Sequence, residues 1–323
     1  MKLKFFISAF IIGLISFIAP TLADNSSQDS IKLSKTVPIA DIHRHVNKFV
    51  SPSKLVEQMK ANGIGWSGAV GPTEWQTESD PYLELLGNAY IPTAGQAELT
   101  QIFFKIGPSA IEDENNRFYK DLFSNADELF RSGKIKGFGE LILNNKASNP
   151  SPNFRRKVTI DSPPIERMMA IADKNGGFIQ IHTEDDEDSI AQIKQLAKKH
   201  PKTPIILSHC MLTTNINLVS DLLKNYPNLY CDLSARTTLH YTNPESDNAK
   251  LRAIYGENFA DPAWIKLIES YPSRFMVGSD TYRYDIDFEK VIGAIRNGLL
   301  SRLKPATIEM VAYKNAQKVM DLK

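Results

Sequence analysis

From Ile31 onward, short apolar runs alternate with longer stretches in which apolar residues return every three or four positions. The short runs lie at 37–43, 63–70, 90–94, 135–141, 177–182, 204–209, 229–233 and 275–279, and each reads as a β-strand. The stretches between them have helical spacing. Ile190, Ile193, Leu196 and Ala197 share one face of 187–200, and Phe288, Val291, Ile292, Ile295 and Leu299 share one face of 287–303. Ile308, Val311, Ala312, Ala316 and Val319 do the same in 306–320. Strands separated by helices in this order predict a (β/α)8 TIM barrel in a single domain, a fold of typically about 250 residues. A doubly wound open sheet has the same alternation, so the side chains at the strand ends must decide between them.

Those side chains are unusual. Four of the six histidines and one aspartate stand at the ends of four strands: His43 and His45, His182, His209, and Asp280. In a barrel every strand ends at one mouth, where residues from distant strands converge; an open sheet would spread them apart. The pattern therefore favours the barrel. Imidazole with carboxylate suits a divalent first-row ion, zinc first. His43 and His45 have the same parity as Asp41 and project to one side of their strand, giving two imidazoles from one support, while Arg44 between them points away. Asp280 is expected to ligate the ion and to take the proton of a metal-activated water; its simpler role would be a turn or cap before the next helix. Glu140, in Gly137-Phe138-Gly139-Glu140, ends its own strand. It is either a ligand, able to bridge two ions, or a carboxylate that orients a ligand histidine.

Composition changes little. The 323 residues carry 38 Lys+Arg against 37 Asp+Glu, which gives no electrostatic support for a nucleic-acid or anionic-membrane partner. The N-terminus reads as an address. Lys2 and Lys4 precede an apolar run from Phe5 to Ile18, and Thr21-Leu22-Ala23 offers small residues for cleavage. Residues 1–23 are thus expected to be a signal peptide, too short for a stable membrane anchor, and to send the chain to the periplasm or the exterior. Residues 24–30, rich in Ser, Asn and Gln, read as a disordered leader, which leaves 31–323 for the barrel. The two cysteines, Cys210 and Cys231, are expected to be buried unpaired thiols rather than a disulfide.

Two long loops follow strands at the mouth. One, 148–164, is rich in proline and carries Arg155-Arg156-Lys157, a run expected to be a solvated charge cluster. The other, 235–261, carries Arg236, His240 and Tyr241. Arg236 is expected to clamp a carboxylate or phosphate of the substrate, with Tyr282 and Arg283 lining the mouth. Trp66 and Trp75 are candidates for an apolar wall there, with core packing the alternative for Trp66.

Taken together, these residues resemble the amidohydrolase superfamily of metal-dependent hydrolases. The resemblance spans 31–323 and rests on His43-x-His45, His182, His209 and Asp280. Gly137-Phe138-Gly139-Glu140 is similar to the amidohydrolase-related branch and, more distantly, to TatD-type nucleases, whose corresponding glutamate binds metal. Val311-Ala312-Tyr313-Lys314-Asn315-Ala316 is similar to the closing helix of many members of that branch. The resemblance implies one or two divalent ions on His43, His45, His182, Asp280 and Glu140, with His209 polarising a substrate carbonyl or holding a second ion. It implies hydrolysis of an ester, lactone, amide or phosphoester of a small molecule. Two alternatives stand beside it: a metal-dependent decarboxylase of a small unsaturated acid, and a non-catalytic binding protein on the same barrel. No motif suggests a nucleophilic-serine, nucleotide-binding or dinucleotide-binding enzyme.

Overall fold

The computed structural model of the protein describes residues 27–46, 50–149, 151–241, 252–281 and 287–323. The strands are β1 (Ile39–Arg44), β2 (Ile64–Ala69), β3 in two halves (Tyr90–Ile91 and Thr93–Ala94), β4 (Gly137–Ile142), β5 (Phe178–His182), β6 (Ile205–Leu207), β7 (Leu229–Asp232) and β8 (Phe275–Met276). Pro92 has no N–H to give to a ladder and divides β3. Each strand runs parallel to the next in chain order. The last strand also returns to the first. Ile42 N donates to Val277 O (3.2 Å), Asp280 N to His43 O (2.7 Å), and Arg44 pairs with Thr281. The sheet is therefore a closed barrel, and the open-sheet alternative falls.

The β8–β1 seam is tight because of Gly278. A Cβ there would lie 2.5 Å from His43 Cβ and 2.9 Å from His43 N, so only glycine allows this approach. Ser279 then donates through N and Oγ to the two oxygens of buried Asp41, each at 2.7 Å. Asp41 thus stitches the seam and satisfies its own buried carboxylate.

At the opposite end the C-terminus closes the barrel floor. Trp66 Nε1 donates to Lys323 O (3.1 Å), Lys136 Nζ to Asp321 O (2.8 Å), and Leu322 joins Phe178, Ile206 and Met276 in an apolar cluster. Trp66 stacks on Tyr313 and belongs to this end, far from a substrate wall. Trp75 is 54% exposed.

Two expectations are corrected. The barrel begins before Ile31: Gln28–Thr36 is a helix capped by Ser27, whose Oγ accepts from Ser30 N (3.0 Å). Its polar residues hid it because Ser30 and Ser34 are buried, and its C-terminal carbonyls are held by Arg296 Nη1, donating to Ser34 O (2.8 Å) and Val37 O (2.9 Å). Residues 27–30 are therefore helix, not leader; 1–26 lie outside the described residues. The cysteines are also paired. Leu207 on β6 is level with Cys231 on β7, and the chain after β6 turns left-handed, which brings Cys210 back against β7 in a disulfide with a Cα–Cα distance of 4.7 Å. Strand positions alone did not reveal that turn.

Candidate metal centre

Five strands deliver six side chains to one point at the mouth. Glu140, from within β4, is central and only 2% exposed. Its Oε2 faces His43 Nε2 (3.5 Å) and His45 Nε2 (3.8 Å), both from β1 and the residues following it. Its Oε1 faces His182 Nδ1 of β5 (3.0 Å) and His209 Nε2 after β6 (3.4 Å). Asp280, after β8, closes the ring from the other side: Oδ1 lies 3.3 Å from His45 Nε2 and 3.5 Å from His43 Nε2, and Oδ2 4.0 Å from His209 Nε2. Asp280 adopts a left-handed backbone (φ 47°), which aspartate tolerates better than most residues.

The imidazoles are set by a buried relay that sequence reasoning missed. Asp232, the last residue of β7, is fully buried and accepts from His43 Nδ1 (2.6 Å), Ser234 N (2.7 Å), Ser234 Oγ (2.6 Å) and Gln180 Nε2 (3.4 Å). His209 Nδ1 in turn lies 2.8 Å from Ser234 Oγ and 3.1 Å from Ser234 O. A carbonyl only accepts, so His209 Nδ1 carries the proton; the Asp232 carboxylate requires the same of His43. In the neutral form both residues then present an unprotonated Nε2 to the centre, the form a metal needs. The only hint of Asp232 in the sequence was a carboxylate ending an otherwise apolar strand.

The donor set fits a divalent ion. His43, His45 and Glu140 bring ligand atoms within 4.8 Å of one another, and so do Glu140, His182 and His209. His43 Nε2 and His182 Nε2 are buried without a hydrogen-bond partner among the described residues. Charge tells the same story. Burial favours the neutral acid for Glu140, but the His43 and His182 imidazoles outweigh it and hold its pKa well below the ordinary value. Burial likewise raises Asp280, and His45, His209 and His43 overcome it to leave a strongly depressed pKa. Burial opposes charge on His43, yet Glu140 and Asp232 hold its pKa well above normal. The two carboxylates stay ionised and the pocket demands positive charge, which protons or a cation can supply.

His209 is presented by a strained turn. His209, Cys210, Met211 and Leu212 all have φ between 51° and 61°, a left-handed run that costs about 1–2 kcal/mol per non-glycine residue. Arg236 holds it. Its Nη1 donates to His209 O (3.0 Å), its Nη2 to Thr213 O (2.8 Å), and its plane covers Trp264 at 4.7 Å. Arg236 is fully buried, with its pKa pushed down to about 10 by desolvation. The expected substrate clamp is therefore corrected: this guanidinium is fully buried and its two terminal nitrogens are committed to the carbonyls of the His209 turn. The Cys210–Cys231 bridge joins the same turn to the residue before Asp232.

Tyr282, the other expected substrate contact, and Arg283 lie outside the described residues. His240 was noticed in its loop but given no role. Its two ring nitrogens are buried without a hydrogen-bond partner among the described residues, and Asp280 and His209 are its charged neighbours. The charge run 155–157 is also corrected. Arg155 and Lys157 are exposed as expected, but Arg156 is buried.

Comparison with known proteins agrees with this geometry. A sequence model of the amidohydrolase family matches residues 126–322. No curated protein sequence matches. Among solved structures, a probable 2-pyrone-4,6-dicarboxylic acid hydrolase of Acinetobacter baumannii is similar over 88% of this chain and 99% of its own, with 10% identity and a TM-score of 0.54. Dihydroorotase of Saccharomyces cerevisiae is similar over 89% of this chain and 85% of its own, with 14% identity and a TM-score of 0.54. An uncharacterised TIM-barrel protein of Bordetella bronchiseptica is similar over 85% and 87%, with 16% identity and a TM-score of 0.51. At such identities these likenesses establish the fold.

Proposed function

The chain belongs to the amidohydrolase family, and from that premise we propose that it is an exported metal-dependent hydrolase acting on an ester, lactone, amide or phosphoester of a small molecule. One observation carries the reading: His43, His45, Glu140, His182, His209 and Asp280, drawn from five strands, meet in one buried ring. When bound there, a divalent ion, zinc first, supplies Lewis acidity and activates water for attack. His43, His45 and Glu140 would hold one such ion, and Glu140, His182 and His209 are a second group that could hold one.

The chain's own residues do the rest. Asp232 and Ser234 fix the His43 and His209 tautomers, so neither ring has to reorganise on binding. With Nδ1 committed to Ser234, neutral His209 has no Nε2 proton to give to a substrate carbonyl; it acts as a ligand rather than a polarising donor. Asp280 is the more open carboxylate, at 17% side-chain exposure against 3% for Glu140. It is kept ionised by three imidazoles and can accept the proton of the attacking water and pass it to the leaving group. Export rests on the N-terminal pattern, and the Cys210–Cys231 disulfide suits an oxidising compartment.

Metal analysis of the purified protein, followed by an ester, lactone, amide and phosphoester panel with and without chelator, tests the proposal. Replacing His43 and His45 together by Ala should abolish metal retention and turnover while the fold, read by circular dichroism, persists. Asp280→Asn should keep most of the metal and lose about 100-fold or more in kcat, the scale of a lost general base. Carbon dioxide release in place of water addition, or full activity in the double variant, would overturn the hydrolase reading.

A further inference from the structure

The loop after β4 carries a second feature that the metal centre does not use. It folds back as a hairpin: Val158 N donates to Leu143 O (2.9 Å), Asn145 N to Arg156 O (3.0 Å), and Arg156 N to Asn145 Oδ1 (2.8 Å). Its root is pinned by Glu184, which accepts from Ala147 N and Ser148 N. Side chains alternate along such a strand. Arg155 and Lys157 face out, where Arg155 Nε donates to Asn149 O (2.8 Å) and Lys157 pairs with Asp186 (2.7 Å) and Asp188 (3.2 Å). Arg156 faces in and is 8% exposed.

Arg236 commits both terminal nitrogens to backbone carbonyls and leaves only its Nε without a partner, whereas Arg156 makes no side-chain hydrogen bond among the described residues. Its guanidinium lies over Phe103, with Cζ 4.5 Å from the ring centroid, and its Nε and Nη1 are buried with no hydrogen-bond partner among the described residues. Leaving charged donors unmade inside a protein costs more than making them gains. Burial lowers its pKa to about 10, so the charge persists at neutral pH, and the first carboxylate it senses is Glu140 of the metal ring. A planar cation held over an aromatic ring, with unpartnered N–H groups and within electrostatic reach of Glu140, is shaped for an oxyanion.

We propose that Arg156, packed on Phe103 at the mouth, is the clamp that holds an anionic group of the substrate, so that this enzyme acts on small molecules bearing a carboxylate or phosphate in addition to the scissile bond. The inference rests on the hydrolase reading for its turnover assay, though not for its binding assay. Turnover is measured on matched aryl esters: the monoester of glutaric acid, its carboxamide counterpart and its phosphonate counterpart. Wild-type protein should favour an anionic ester over the amide, and the preferred anion distinguishes a carboxylate from a phosphate substrate. Arg156→Met should reduce the anionic-to-neutral ratio of kcat/KM by at least about 30-fold, the scale of a truncated buried charge pair. Arg156→Lys should recover part of it, and Arg155→Met none of the loss. Melting temperature and metal content identify any variant that fails through folding. Binding of glutarate and of a phosphonate to metal-loaded protein, by calorimetry, gives a readout independent of turnover. If wild type cleaves no ester, the hydrolase reading fails while these titrations still decide Arg156. An unchanged ratio, or anion affinities equal in wild type and Arg156→Met, would overturn the proposal.

Discussion

Asp232→Asn separates His43, here proposed as a metal ligand, from the group that orients it. Among the ring residues Asp232 is hydrogen-bonded to His43, and it accepts four hydrogen bonds in a fully buried position. Asparagine is nearly isosteric but has one acceptor oxygen and two donor hydrogens. If its oxygen stays on Ser234 N, its amide faces the His43 Nδ1 proton, and the imidazole must move the proton to Nε2, where it blocks metal. If its oxygen faces His43 instead, buried Ser234 N–H is orphaned. Either choice loses a charge-assisted bond and leaves a buried donor unmade, so the fold should weaken by about 2–3 kcal/mol. Orienting partners of ligand histidines are typically worth about 10–100-fold in metal affinity. That corresponds to about 1.4–2.7 kcal/mol at the ion. The assay is competitive zinc titration of the apoprotein against a chelating dye, with thermal melts alongside. Wild-type metal affinity in a destabilised Asp232→Asn protein would refute the tautomer argument, because stability alone would then have been lost.

Other consequences are independent of the relay. Replacing Cys210 and Cys231 together by Ser opens a loop closed across a separation of 21 residues and should lower stability by about 3 kcal/mol by denaturant unfolding. Because the bridge restrains the left-handed His209 turn, metal affinity should fall too; an unchanged metal affinity would show that Arg236 holds the turn alone. Glu166 is bound by Lys199 Nζ (2.8 Å) and His200 Nε2 (2.8 Å). Burial raises its pKa, but these partners outweigh it and set it below the ordinary value. Its contribution is therefore complete above the unfolded pKa of about 4.3 and lost as pH falls through the folded value. Glu166→Gln should cost about 0.5–1 kcal/mol at pH 7 and nothing near pH 2, read from paired melts; a gap that persists in acid would contradict the ion pair. Gly278→Ala places a methyl 2.5 Å from His43 Cβ and should destabilise by about 1–3 kcal/mol while loosening metal; a neutral melt would mean that the β8–β1 seam relaxes freely.

The convergence of these side chains was legible because strand ends announce themselves: an apolar run that stops at histidine or aspartate fixes both the element and its polarity, and parallel order then brings the ends together. His43, His45, His182, His209 and Asp280 follow from that rule, whereas Glu140 lies inside its strand and the sequence left it either a ligand or an orienting carboxylate. Asp232 did not stand out, since one carboxylate ending Leu229-Tyr230-Cys231 has no spacing partner in the chain and acquires meaning only through contact with His43, 189 positions away. The helix Gln28–Thr36 was hidden for a related reason. Its docking uses small serines and backbone carbonyls under Arg296, and neither registers as hydrophobic periodicity.

The arginines show what position in a sequence conceals. Arg236 follows a strand end and Arg156 sits in a charge run, so the first looked like a clamp and the second like solvent-facing charge. The structure buries both, and the reason is local backbone geometry. Four consecutive left-handed residues after β6 turn the carbonyls of His209 and Thr213 inward, and only a long cationic fork placed behind them satisfies both. In the hairpin after β4, strict alternation puts the middle of three cations inside and leaves its neighbours in water. Arg236, with both terminal nitrogens on backbone carbonyls, has a structural task already filled. Arg156, whose buried Nε and Nη1 have no partner among the described residues and which interacts electrostatically with Glu140, is the one we propose awaits an acceptor, and the chemistry of that acceptor is the most direct route from this barrel to its substrate.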